Sequence, residues 1–108
     1  MPFTSSTQTN SNGVANYAVG KIVTSSATAA AATITLGFTP RYVKFVNLTD
    51  RITDEWYEGM ASASSLHQVA AGTLTLETTN GIAVSGSSFT LTATTLVASK
   101  TFHWEAMS

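Results

Sequence analysis

Residues 37–60, in the middle of the chain, combine an alternation of apolar and polar residues with seven of the eleven charged residues. Residues 41–48 (RYVKFVNL) alternate with a period of two, which predicts a half-buried strand that starts after Pro40. Turn-forming residues follow at 47–50, and residues 52–60 carry a second strand-like segment. The centre of the chain is therefore predicted to be a β-hairpin.

The same pattern predicts further strands on both sides of this hairpin. They lie at residues 14–24, 33–36, 73–78, 82–84, 89–94 and 101–107, with a short and less regular segment at 96–99. Predicted turns separate several of them, at residues 79–81 and 85–88.

Two other segments have no strand pattern. Residues 25–32 are mostly alanine, serine and threonine, but the run is too short for a stable helix and is predicted to be a loop. Residues 61–68 are small and polar, which predicts a loop or one short helical turn. Seven or eight short strands and no strong helix are typical of an all-β domain, either a β-sandwich, a jelly roll or a barrel. We expect a sandwich or jelly roll of antiparallel strands.

The 108 residues are enough for one domain, which we place at residues 14–108. Residues 1–13 (MPFTSSTQTNSNG) are polar and turn-prone, so they cannot offset their ordering entropy by burial and are predicted to be a flexible arm. Phe3 is the large apolar exception, and it is either an anchor for a neighbouring subunit or part of a disordered tail.

The composition favours a protein that works in an assembly. Only 10% of the residues are charged, the net charge is −1, and 32 residues are serine or threonine. Such a chain has little electrostatic protection against association, and threonine suits exposed strand faces. Its dispersed lysines and arginines argue against binding nucleic acid. Without a secretory signal or an apolar run of about 18 residues, it is predicted to be soluble and synthesised in the cytoplasm.

We find no pattern for catalysis or for a cofactor. The acidic residues Asp50, Asp54, Glu55 and Glu58 lack the spacing of a calcium loop, and surface pairs with Arg41, Lys44 and Arg51 explain them better. Cysteines are absent, and His67 and His103 lie too far apart in the sequence to suggest a zinc site. Neither a nucleophile elbow nor a phosphate loop is present. We therefore predict no enzyme, no metal and no cofactor.

The aromatic residues of the charged hairpin are candidates for protein–protein contacts. Trp104 is predicted to belong to the core, whereas Trp56 lies between acidic residues and is consistent with either the core or an interface. The candidate contact residues are Phe3, Arg41, Tyr42, Arg51, Trp56, Tyr57 and Glu58.

Four segments, LGFTPRYVKFVNLTDR, EWYEGMA, VAAGTLTLET and VASKTFHWEA, resemble small virion proteins of tailed bacteriophages. The similarity spans roughly residues 17–106. It implies a decoration or cement protein with a β-sandwich or jelly-roll fold, which binds the outside of the capsid as an oligomer and clamps the major capsid protein. The symmetry of a shell favours a homotrimer at three-fold positions.

Two other functions also agree with the pattern. One is a component of the tail, a fibre or a head fibre, since strand-rich Ser/Thr sequences serve there too. The other is a carbohydrate-binding adhesive module that stacks sugar rings on Trp56, Tyr57 and Trp104. Neither the sandwich nor the jelly-roll connectivity follows from the order of strands in the sequence.

Overall fold

The computed structural model describes residues 16–108, and all regular elements within that range are β-strands. The arm at residues 1–13 and its Phe3 lie outside the described range. The eight strands are β1 (Tyr17–Val23), β2 (Ala32–Thr35), β3 (Tyr42–Asn47), β4 (Ile52–Tyr57), β5 (Ser64–Gln68), β6 (Leu74–Ser85), β7 (Ser88–Leu91) and β8 (Thr101–Met107). The prediction of an all-β fold with seven or eight short strands is confirmed.

All eight strands join one antiparallel sheet in the order β1-β8-β3-β4-β5-β6-β7-β2. The sheet is curled, because strands from its two ends meet across the interior. Phe89 on β7 packs edge-on against Trp104 on β8, with 5.4 Å between the ring centroids. The sheet therefore has a concave inner face that encloses the core and a convex outer face.

Aromatic residues from both ends of the sheet fill this core. Phe45 and Phe102, on the paired strands β3 and β8, stack with 5.2 Å between their ring centroids. Phe89, Leu91 and Ile82 come from β7 and the second half of β6 and are fully buried. Burying such side chains contributes about 1.5 to 3 kcal/mol each, which makes them the main source of stability.

The central hairpin forms as predicted, with Val43 on β3 directly opposite Trp56 on β4. Its turn is stabilised by a reciprocal pair of hydrogen bonds. The Asn47 side-chain amide donates to the carboxylate of Asp50 at 3.0 Å, and the Asp50 backbone N–H donates to Asn47 Oδ1 at 3.0 Å. Arg51 completes the turn with a positive φ of 57°. The turn residues thus fix the register of the hairpin locally.

The turn predicted at residues 79–81 is wrong, since β6 continues through it. The four residues Thr78–Gly81 instead form a bulge, because Ser65 of β5 is opposite Glu77 whereas the adjacent Ser64 is opposite Ile82. The Glu77 carboxylate accepts the backbone N–H groups of Thr78, Thr79 and Asn80. These bonds, chiefly those from Thr79 and Asn80, hold the pKa of Glu77 below its usual value. Turn-forming residues here bend a strand rather than end it.

The bulge is the point where β6 changes partner. Its first part pairs with β5 and its last residues pair with β7. Gly81 is required at this crossing, because a Cβ atom there would lie 2.7 Å from the carbonyl oxygen of Ser64. The Thr95 hydroxyl donates to the carbonyl of Asn80 at 2.8 Å and ties the bulge to the loop after β7.

Residues 61–68 do not form the predicted loop or helical turn over their whole length. Ser64–Gln68 is strand β5, which pairs with β4 and β6 near the middle of the sheet. Sequence patterns miss this strand because its inward side chains, Ser65 and His67, are polar while the outward Leu66 is apolar. The segment at 96–99, in contrast, contains no strand.

Candidate functional site

The outer face of the sheet carries an unbroken row of side chains across six strands. Pairing of β1, β8, β3, β4, β5 and β6 aligns them in the order Val19, Glu105, Lys44, Glu55, Leu66 and Leu76. We call this set the outer row. It has alternating charges at its centre and aliphatic residues at both ends.

The aliphatic ends of the outer row are exposed to an unusual degree. Val19 and Leu76 are each 64% exposed, and Leu74, next to Leu76 on the same face of β6, is 55% exposed. Leaving these side chains in water forgoes the stabilisation that burial would provide. Exposed apolar residues grouped on one face are typical of surfaces that bind another macromolecule.

Two tyrosines support the charged centre of the outer row. The Tyr42 hydroxyl donates to Glu55 Oε2 at 2.7 Å, and the Tyr17 hydroxyl donates to Glu105 Oε2 at 2.8 Å. Burial, followed by the bond to Glu55, raises the pKa of Tyr42 well above its usual value. The bond to Glu105 is the main cause of the raised pKa of Tyr17. Both phenols therefore stay neutral donors, and both carboxylates are held in place.

Some of the predicted contact residues lie together at one end of the hairpin. Tyr42 and Tyr57 are opposite each other on the outer face, with 5.1 Å between ring centroids. Beside them, Arg41 Nε lies 3.9 Å from Glu58 Oε2, a weak surface pair of the kind predicted. Arg51 is exposed at the opposite end of the hairpin, in the turn.

Trp56 belongs to the core and not to the outer face. It is 7% exposed, and its indole N–H donates to the carbonyl of Ala61 at 3.3 Å. The half-buried Trp104 also faces inward, where it packs against Phe89. Because Tyr57 faces outward, these three aromatic rings do not form a common stacking surface for sugars.

The inner face carries a polar cluster that sequence reasoning missed. Asp54 is 4% exposed, and its Oδ1 atom accepts the Ser65 hydroxyl at 2.7 Å and lies 2.8 Å from Nδ1 of His67. Thirteen residues separate Asp54 and His67 in the sequence, but they are direct neighbours on β4 and β5. The expectation of a surface carboxylate at position 54 is therefore wrong, because strand pairing turns it inward toward two polar partners.

The polar cluster borders a pocket of about 260 Å³ on the inner face. Glu77, Asn80 and Thr95 also line this pocket. Although serine, histidine and aspartate are present, they are not arranged as a catalytic triad, in which histidine must accept the serine proton. Here Ser65, which is fully buried, and the half-buried His67 both bind the same carboxylate oxygen, so the arrangement stabilises Asp54 rather than activating a nucleophile.

The other acidic residues are dispersed over the molecule. Asp50 Oδ1 accepts a hydrogen bond from Nζ of Lys100 at 3.1 Å, and this bond lowers the pKa of Asp50. Glu55 faces outward while Asp54 faces inward, because they are successive residues of a strand. Among residues 16–108, no group of three or more histidine, cysteine, aspartate or glutamate residues is arranged to hold a metal ion.

Comparison with known protein families, with curated protein sequences and with solved structures finds no match for this chain. Within residues 16–108 no helix is long and apolar enough to cross a membrane.

Proposed function

We propose that the chain is a non-enzymatic structural protein of a virus particle that binds other proteins through the outer face of its sheet. The observation that carries this proposal is the outer row, with exposed Val19 and Leu76 at its ends and, between them, two carboxylates that tyrosine hydroxyls hold in place. Apolar contacts of this kind provide binding energy, and fixed charges between them provide register and specificity.

The most specific form of the proposal is a decoration protein on the outside of a bacteriophage capsid, with the major capsid protein as its partner. It is supported by the resemblance of the four segments described above, by the low charge content and by the overall dimensions. The described part of the chain measures 49 × 32 × 19 Å, a flat slab suited to covering a lattice. A jelly-roll or sandwich classification belongs to the same proposal and is supported by the contact between Phe89 and Trp104 across the core.

The proposed mechanism is mass action on the assembled shell. A protein that binds neighbouring capsid subunits together, but not the separated subunits, stabilises the assembly in proportion to its occupancy. Such a clamp needs a stiff scaffold and a broad contact face, and requires no catalytic group. Copies of this chain would act as an oligomer on the capsid surface, for which shell symmetry favours a trimer.

Replacing Leu76 with glutamate is expected to weaken capsid binding at least about tenfold while leaving the fold intact. The side chain is exposed, so the variant loses no core packing, but it places a charge at the apolar end of the outer row. Binding is measured by cosedimentation with shells assembled without this protein, and folding by thermal melting of the same samples.

The matched control is Ser87→Glu, which adds the same charge to an exposed turn between β6 and β7 that is not part of the outer row. This control should bind like the unchanged protein. If both variants bind normally, the outer face is not the contact surface. If both are weakened equally, the effect is one of net charge.

A further inference from the structure

Strand β1 forms one edge of the sheet and exposes a row of backbone hydrogen-bonding groups. The Thr24 N–H donates to the carbonyl of Lys100, and the Ser108 N–H donates to the carbonyl of Asn16. In an antiparallel pair such bonded positions alternate, so even-numbered residues of β1 bond to β8. The N–H and C=O groups of its odd-numbered residues therefore point away from the sheet. Within residues 16–108 no other strand pairs with them.

This edge has few of the devices that normally keep sheet edges apart. β1 spans seven residues without a proline or a bulge, and Lys21 is its only charged residue. Four side chains of β1 lie on the outer face of the sheet. Three of them, those of Tyr17, Val19 and Val23, are large, apolar or aromatic, and mostly exposed. The opposite edge, β2, has only four residues and correspondingly fewer free backbone groups.

We propose that β1 pairs antiparallel with β1 of a second copy of this chain, around a two-fold axis at Gly20. In this register Tyr17 is opposite Val23 of the second copy, and Val19 is opposite its Lys21. The N–H and C=O groups of the four odd-numbered residues, which point to the free edge, then all have a partner in the second copy. Because Gly20 is the central residue of the seven, no other register pairs all of them. The contact is the same on both copies and closes on itself.

The charges of the outer face agree with this register. Lys21 of one copy is opposite Val19 of the other, whose next neighbour on β8 is Glu105. Each lysine thus lies near a carboxylate of the other copy. A register shifted by two residues toward the C-terminal end of β1 would place the two Lys21 residues opposite each other, which is unfavourable. Gly20 adds no side chain at the axis, where the Trp104 indole already occupies the inner face.

The proposed contact is narrow, so the isolated dimer should be weak. A single pair of seven-residue strands buries less area than the interfaces of stable complexes, which favours dissociation constants at the weak end of the range. A two-fold contact also predicts an even number of subunits, in contrast to the trimer suggested by shell symmetry. The dimer is independent of capsid binding and can be tested without capsids.

Sedimentation equilibrium of the full chain, from roughly 10 μM to 1 mM, tests the proposal across that affinity range. The average mass should rise with concentration from 11.3 kDa toward twice that value. Val19→Pro removes an N–H that points to the free edge and no bond to β8, so it should weaken dimerisation at least about tenfold. The control is Thr35→Pro on β2, where the bond from Leu36 N–H to Ser87 shows that the Thr35 N–H also points outward. It should leave the dimer unchanged.

A second pair of variants tests the register. Val19→Lys places a lysine opposite Lys21 of the second copy and should weaken the dimer, although within one copy it gains Glu105 as a neighbour and keeps its fold. Val19→Glu places a carboxylate opposite the same lysine and should strengthen the dimer. Opposite effects of the two variants support the proposed register.

Three results would overturn the proposal. In the first, the full chain stays monomeric up to about 1 mM and the odd-numbered amides of β1 exchange hydrogen fast. This result would show that the edge is unpaired. A monomer with those amides protected would show that another part of the same chain covers the edge. A dimer unaffected by Val19→Pro would place the contact elsewhere.

Discussion

Replacing Phe102 with alanine is expected to lower the free energy of unfolding by about 3 to 5 kcal/mol. Phe102 is fully buried and stacks on Phe45, and its strand β8 pairs on both sides, with β1 and β3. The truncation removes the ring from the centre of the core and leaves a cavity that the surrounding strands cannot close. A domain of this size is stable by roughly 5 to 15 kcal/mol, so the variant should be close to unfolding.

Urea denaturation at neutral pH measures this loss. His103→Ala is the matched control, because it changes the next residue of the same strand, whose side chain is exposed on the outer face. This control should stay within about 0.5 kcal/mol of the unchanged protein. Equal unfolding midpoints for the two variants would contradict the inward orientation of Phe102 and the core built on it.

Replacing Asp54 with alanine is expected to cost about 2 to 4 kcal/mol of unfolding free energy. The carboxylate is the shared partner of Ser65 and His67, and Ser65 is fully buried. Without Asp54, a buried hydroxyl loses its acceptor and the imidazole loses its neighbour. The cost therefore comes mainly from polar groups left without partners inside the sheet.

The same denaturation experiment distinguishes this cluster from surface pairs. Glu58→Ala breaks only the exposed pair with Arg41 and should cost no more than about 1 kcal/mol. Asp54→Asn keeps an oxygen acceptor and should recover part of the loss caused by alanine. If Asp54→Ala and Glu58→Ala are equally mild, the polar cluster contributes nothing to stability.

The strands that the sequence predicts best are those with an apolar inner face and a polar outer face. Val43 and Phe45 on β3, and Phe102 and Trp104 on β8, alternate with polar or exposed residues and follow the core directly. Local turn chemistry at Asn47 and Asp50 also follows from residue type, since it involves residues three positions apart. Such features depend on interactions between residues that are close in the sequence, so a sequence pattern predicts them.

The features that could not be predicted depend on contacts between distant strands. The alternation at Leu74 and Leu76 shows that they share a face, but not that this face is the outer one. Pairing of β6 with β5 decides the question, because the inner side of β6 at this point carries Glu77 and faces the polar pocket. Asp54 and His67 likewise meet only through strand pairing. The residues that make up the outer row can therefore be identified only from the folded structure.

For the contact residues, too, the sequence predicts local properties but not the side of the sheet on which a residue lies. Tyr42 and Tyr57 are predicted contact residues because they are aromatic and lie near charges, and the structure places both on the outer face. The same reasoning predicts Trp56, but Trp56 is the direct neighbour of Tyr57 in a strand and so points to the other side. Composition near a residue thus does not decide which side of a sheet its side chain occupies.

The most direct test of the proposed function is the number of copies of this chain per particle. Quantitative mass spectrometry of purified virions measures its ratio to the major capsid protein. A capsid decoration protein predicts a ratio near one-to-one. A few copies per particle would indicate a tail, vertex or fibre component instead, and absence of the chain from the particle would contradict a virion role altogether.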